Sequence, residues 1–179
     1  MKAQAQAGFS LIELMIGISI LAILISLALP SFRTAVQNNR IASQANELVT
    51  AFHLARSEAL KRNQPVIVCA SSDGETCQGT WTDGWIVAED NAPPGAAAPT
   101  LARVIRSWPA PNGGAEIAET TDDTITLFRF LPRGELDGGI GIVFPSTIAM
   151  SIPDCRGDQA RNILINRAGR VSVETAACA

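Results

Sequence analysis

The side chains best suited to chemistry in this chain are four cysteines, one histidine, one carboxylate set in an apolar run and a group of arginines near the C-terminus. The cysteines are Cys69, Cys77, Cys155 and Cys178. An even count in an exported chain reads as two disulfides formed in an oxidising compartment. Four cysteines allow three connectivities. Sequence-local pairing, Cys69–Cys77 and Cys155–Cys178, is the expectation, because each pair closes a region of turns and short strands. Each such loop contributes about 2.5–3.5 kcal/mol on the chain-entropy model. Structural zinc needs closely spaced ligand pairs, which these spacings do not supply, so no metal and no cofactor is expected.

Catalysis is not expected either. His53 is the single histidine, and no Cys or carboxylate cluster accompanies it, so it reads as a packing or surface residue. Nothing resembles a nucleophile elbow. Gly138-Gly139-Ile140-Gly141 has no third glycine at the dinucleotide-loop offset and no helical pattern after it, so it reads as a turn. Trp81, Trp85 and Trp108 could form a stacking platform for a ligand, but such residues more often cap a small core, and the core reading is preferred.

Glu13 is the lone charge in the run from Phe9 to Leu29. About 20 apolar residues cross a bilayer core of about 30 Å, and this run is long enough. A carboxylate in such a span costs about 2.5–3.5 kcal/mol on insertion scales and normally has a partner. The bond between Gly8 and Phe9, just ahead of this run, is a candidate cut site. The switch from polar to apolar falls at that bond, ahead of the apolar segment, whereas a secretory signal places its cleavage site after it. A cut there leaves the apolar segment on the mature chain as an anchor or assembly element.

From Cys155 to the C-terminus, Arg156, Arg161, Arg167 and Arg170 stand against Asp158 and Glu174. Arginines on adjacent turns and strands can contact phosphates. The chain as a whole has net charge −3 and a pI near 5.1, which is not the balance of a protein devoted to gripping a polyanion. Any DNA contact would be local to these arginines.

The elements that must position these groups follow from periodicity. Residues 1–8 form a short polar leader, and 9–29 the apolar assembly helix. Pro30 should kink or loosen the helix, since it cannot donate a backbone hydrogen bond. Over 30–64, Ile41, Ala45, Leu48, Phe52, Ala55 and Ala59 make one apolar stripe on an amphipathic helix, which Asn63, Gln64 and Pro65 stop. From 65 to 179 the chain reads as a β-rich domain, with strands at Val66–Ala70, Trp85–Glu89, Leu101–Trp108, Thr124–Leu131, Gly141–Phe144, Ile163–Asn166 and Val171–Glu174. Ala168-Gly169 turns the last two, and Asn91–Thr100 is a Pro/Ala surface excursion. The fold class is α+β: a long N-terminal helix whose second half packs on an antiparallel sheet.

The segment from Gly8 to Pro30, GFSLIELMIGISILAILISLALP, resembles the N-terminus of type IV pilins and type II secretion pseudopilins. That resemblance implies cleavage after Gly8 by prepilin peptidase, methylation of Phe9, an assembly role for Glu13 and a helix-melting role for Pro30. Val68-Cys69-Ala70-Ser71-Ser72-Asp73-Gly74, Cys77 and Trp81…Gly84-Trp85-Ile86-Val87 resemble the FimT/FimU-type minor pilins, which share a domain with the minor pseudopilin GspH. Phe130-Leu131-Pro132-Arg133-Gly134 and the C-terminal run from Cys155 to Cys178 match the same group. The resemblance implies a minor pilin that primes and caps a type IV pilus, held in the inner membrane by a single span with its domain in the periplasm, and partnered by other minor and major pilins. Alternatives are a pseudopilin of a type II secretion system and a pilus-displayed DNA receptor. One branch of the family binds DNA through a C-terminal Gly-Arg-x-Arg motif. This chain carries Gly169-Arg170-Val171-Ser172, with serine in place of the second arginine.

Overall fold

A computed structural model describes residues 10–120, 125–138 and 142–178, apart from the side chain of Pro30. The leader, the expected cut site at Gly8 and Phe9, and Gly139 to Gly141 of the glycine turn lie outside those residues. The chain divides into two compact units between Asn38 and Asn39.

In the first unit, helix α1 (Leu11–Arg62) begins after Ser10. The Glu13 N–H donates to Ser10 Oγ at 3.3 Å and the Leu14 N–H to the Ser10 carbonyl at 3.2 Å, so Ser10 acts as the N-cap. The large apolar side chains from Leu11 to Leu29 are between 47% and 76% exposed. This part of α1 is long and apolar enough to cross a membrane. Its serines satisfy themselves on the helix: Ser19 Oγ donates to the Met15 carbonyl, Ser26 Oγ to Ile23 and Ser31 Oγ to Ala28. The helix is continuous through Pro30. A proline leaves one carbonyl without its helical donor, and the hydroxyls of Ser26 and Ser31 flank that point.

The second unit holds the core. The stripe Ile41, Ala45, Leu48, Phe52, Ala55 and Ala59 is fully buried. After Arg62, Asn63 takes a left-handed conformation (φ 53°) and ends the helix ahead of Pro65. Among the described residues eight strands follow: β1 (Val66–Ala70), β2 (Gly84–Asp90), β3 (Leu101–Pro109), β4 (Glu116–Glu119), β5 (Leu127–Phe130), β6 (Ser146–Ser151), β7 (Ala160–Ile165) and β8 (Val171–Ala176). They form two four-stranded antiparallel sheets, ordered β3-β2-β1-β5 and β4-β6-β7-β8. The α+β class read from the sequence is the observed one.

Strand alternation sorts β1 between two cores. Val66, Val68 and Ala70 join the helix stripe, Trp81, Trp85, Phe128, Phe130 and the inward residues of the second sheet. Phe52 sits centrally there, edge-on to Phe128 at 5.3 Å and to Phe130 at 6.3 Å. Ile67 and Cys69 face the other way and pack with Ile86 and Ala88 in a smaller cluster. The first sheet is therefore buried on both faces at β1.

The sequence expectation misplaced one strand and missed two. Ile142 to Phe144 are not strand; Pro145 cannot join a ladder, and β6 starts just after it. β4 (EIAE) was hidden by its glutamates. Glu119 is buried and accepts from Ser146 Oγ at 2.9 Å and from the Thr147 N–H at 3.2 Å, which lets a carboxylate occupy an inward strand position.

Candidate functional site

The cysteines pair locally. Cys69 of β1 is bonded to Cys77, and Cys155, ahead of β7, to Cys178, beyond the end of β8. The first bridge closes a loop organised by Asp73. The Thr76 hydroxyl and N–H, the Glu75 N–H and the Gln78 amide all donate to its carboxylate. Those donors, the Thr76 hydroxyl first, hold the Asp73 carboxyl far below the usual carboxylate range. Because the pKa is depressed in the folded state, this contribution is fully present above the ordinary carboxylate pKa and is lost progressively as pH falls from there through the depressed value.

The second bridge has a different task. Both faces of β8 are open: Ser172, Val173, Glu174 and Thr175 are all exposed, so apolar burial does little to hold the strand. What holds it is the ladder to β7, the Cys178 N–H donating to the Gly157 carbonyl, and the covalent staple. Non-reducing peptide mapping of the chain is expected to recover the Cys69–Cys77 and Cys155–Cys178 peptides. With Cys155 and Cys178 both changed to serine, hydrogen exchange should rise first in β8, while β1 and β5 keep their protection.

The turn between β7 and β8 is fitted closely to the rest of the unit. Gly169 has φ 74°, its N–H donates to the Asn166 carbonyl, and its own carbonyl accepts from Arg56 Nη1 on α1 at 3.1 Å. A Cβ there would lie 2.5 Å from the Gly134 carbonyl oxygen and 3.0 Å from the Phe130 ring. This position requires glycine for both conformation and space.

The four C-terminal arginines do not form one patch. Arg156 and Arg161 stand at the start of β7, and Arg167 and Arg170 beyond its end, roughly 20 Å apart along the strand at about 3.3 Å per residue. Arg161 turns its guanidinium onto the Asp158 and Ala160 carbonyls. Arg167 and Arg170 are exposed on the β7–β8 turn, where Arg167 lies against Gly138. His53 is exposed, and Trp81, Trp85 and Trp108 are buried in the core. Among the described residues no group of His, Cys, Asp and Glu could hold a metal.

One polar site escaped the sequence reading. Arg129 on β5 is fully buried on the side of the smaller core. Its Nε donates to Asp90 Oδ2 at 2.7 Å, and its Nη1 to Asp137 Oδ2 at 3.2 Å and to the Ala96 carbonyl at 2.7 Å. Asp90 also accepts from the Ala92 and Thr100 N–H groups, and Asp137 from the Gly95 N–H. The Asn91–Thr100 excursion is thus fastened from beneath by one guanidinium and two carboxylates. The available signal was an arginine inside a strand of apolar residues (LFRF), with Asp90 at the end of β2 and Asp137 in the loop after β5.

Comparison with known proteins agrees with this layout. Residues 44–169 match the family described as type II transport protein GspH, and residues 3–29 match the prokaryotic N-terminal methylation motif. Among solved structures, the type IV minor pilin FimU of Pseudomonas aeruginosa is similar in two crystal forms. One has a TM-score of 0.57 at 23% identity, covering 76% of this chain and 89% of that one. The other has a TM-score of 0.53 at 23% identity, covering 74% and 91%. A search of curated proteins gives no match. The chain belongs to the GspH family and combines a prepilin-type methylation motif with the fold of a pilin-like subunit.

Proposed function

We propose that this chain is a minor subunit of a type IV pilus, which primes assembly of the filament and caps it. The observation that carries the reading is the run of exposed apolar side chains from Leu11 to Leu29, joined to a folded, disulfide-bonded unit. Exposed in water, that surface costs roughly 25 cal/mol per Å2, so a bilayer or the helices of other subunits must cover it. Cleavage between Gly8 and Phe9 by prepilin peptidase leaves it at the start of the mature chain. The span then rests in the inner membrane with the second unit in the periplasm, until other minor and major pilins draw it into the filament. The GspH match favours a second setting for the same chemistry, a pseudopilin of a type II secretion system. A DNA-receptor role would rest on Arg167 and Arg170 alone, since Arg156 and Arg161 stand at the other end of β7.

The test has two parts. Intact mass of chain made alongside an active prepilin peptidase is expected to show loss of residues 1–8 and gain of one methyl group. Deleting the gene is expected to remove most surface pili, with restoration by the intact copy. A full-length mass, or unchanged piliation, overturns the reading. Unchanged piliation with lost secretion selects the pseudopilin setting.

A further inference from the structure

A cleft of about 570 Å3 opens between α1 and the end of β3, well inside the range of ligand sites. Arg40, Ser43, Gln44 and Glu47 of α1 line one wall, and Arg106 and Trp108 of β3 the other. Neither arginine has an acidic partner among the described residues, in contrast to Arg62, Arg103 and Arg129, which all do. Arg106 lies over the Trp108 ring, 4.6 Å from its centroid, and Trp108 stacks on Trp85 at 6.4 Å. This stack fixes the guanidinium plane before any partner arrives. Gln44 is 6% exposed; its amide donates to the Asn112 carbonyl at 2.7 Å, and its Oε1 has no donor.

We infer that this cleft is the docking site for an acidic peptide segment of the adjoining subunit in the filament, an inference that rests on the pilin-like reading above. The occupant must bring carboxylates for Arg40 and Arg106 and N–H groups for the exposed Ser43 hydroxyl and Glu47 carboxylate. A peptide bearing Asp or Glu supplies both. A phosphodiester strand has no backbone N–H group and carries a charge at every residue, so Glu47 opposes it more than it opposes a peptide whose few carboxylates can be placed on Arg40 and Arg106. Preorganised Arg and Trp at the centre of a contact are also the residue types that carry most binding energy between proteins.

The experiment places a photo-crosslinking amino acid at Ser43, exposed on the cleft wall, in the full chain within cells that assemble filaments. A second probe replaces Leu21 in the apolar part of α1. The expected result is a Ser43 adduct to another filament subunit, mapped by mass spectrometry to an Asp- or Glu-containing segment. The double change Arg40→Glu/Arg106→Glu should reduce that adduct about tenfold or more, as expected for reversing charges at a contact. Both positions are exposed, so the circular dichroism and the unfolding midpoint should stay close to the parent's, while Trp108 emission shifts with the loss of the Arg106 guanidinium above it. Changing the mapped acids to lysine should restore the adduct. A Leu21 adduct without a Ser43 adduct overturns the cleft and leaves the filament reading standing. Absence of both overturns the filament reading and the cleft with it. A Ser43 adduct indifferent to charge reversal, or formed with nucleic acid, also overturns the acidic-peptide assignment.

Discussion

Replacing Arg129 with methionine is expected to destabilise the second unit by about 3–5 kcal/mol, the usual consequence of removing one member of a buried ion pair. Methionine fills much of the volume but leaves Asp90 and Asp137 buried without their cation, and strips the Ala96 carbonyl of its donor. Against a typical total of about 5–15 kcal/mol, that is a large share. Arg129→Lys should recover only part of it, because an ammonium is a point charge and cannot reach two carboxylates and a carbonyl in one plane. The damage should begin at Asn91–Thr100, whose Gly95, Ala92 and Thr100 N–H groups depend on the same two aspartates. Urea titration of the full chain in detergent, followed by the fluorescence of Trp81, Trp85 and Trp108, measures the loss. Limited proteolysis identifies the excursion as the first segment cut. A loss of less than about 1 kcal/mol for Arg129→Met would show that Asp90 and Asp137 do not depend on the guanidinium, against the usual cost of an uncompensated buried charge.

What the sequence made legible, and what it hid, divides along one physical line. Local periodicity was readable. The stripe from Ile41 to Ala59 repeats at the helical period and is wholly buried, and Val66–Ala70 was legible as an unbroken β-branched and apolar run. The N-terminal motif was readable because a leader, a lone carboxylate and a span fall in one short stretch. The Arg129 site was not, because it unites positions 39 and 8 residues from its centre, and each aspartate alone looks like a turn residue. β4 was hidden for a related reason: Glu119 reads as surface until Ser146 and Thr147, far along the chain, are brought beside it. The C-terminal arginines show the converse error. Closeness in sequence suggested one cluster, but a strand between them carries the pairs to opposite ends. The arginine cleft combines residues of α1 with residues of β3, so no window of sequence contains it.

Changing Glu13 to glutamine is expected to reduce incorporation into filaments about tenfold or more while leaving the second unit as stable as before. Two roles for this carboxylate meet at the start of α1. It stands three residues after the N-cap Ser10, whose hydroxyl accepts the Glu13 N–H, so Ser10 and Glu13 have the spacing of a capping box. In the proposed filament it is also an acidic group on an apolar surface, and with the chain cut at Phe9 the amino group of a neighbouring subunit's Phe9 would be its counter-charge. Glutamine separates the two, because it serves at the third helical position of a capping box as glutamate does but carries no charge. A charge pair held away from water loses about 2–5 kcal/mol when one partner is neutralised, which is more than enough for a tenfold effect. Glu13→Ala should behave like Glu13→Gln if the charge matters, and Glu13→Asp should retain a measurable part of the function. The readout is the amount of this chain in sheared filaments relative to the membrane fraction, with the unfolding midpoint of the second unit as the control. Normal incorporation of Glu13→Gln beside failure of Glu13→Ala would assign the residue to helix capping, and normal incorporation of both would remove it from assembly altogether.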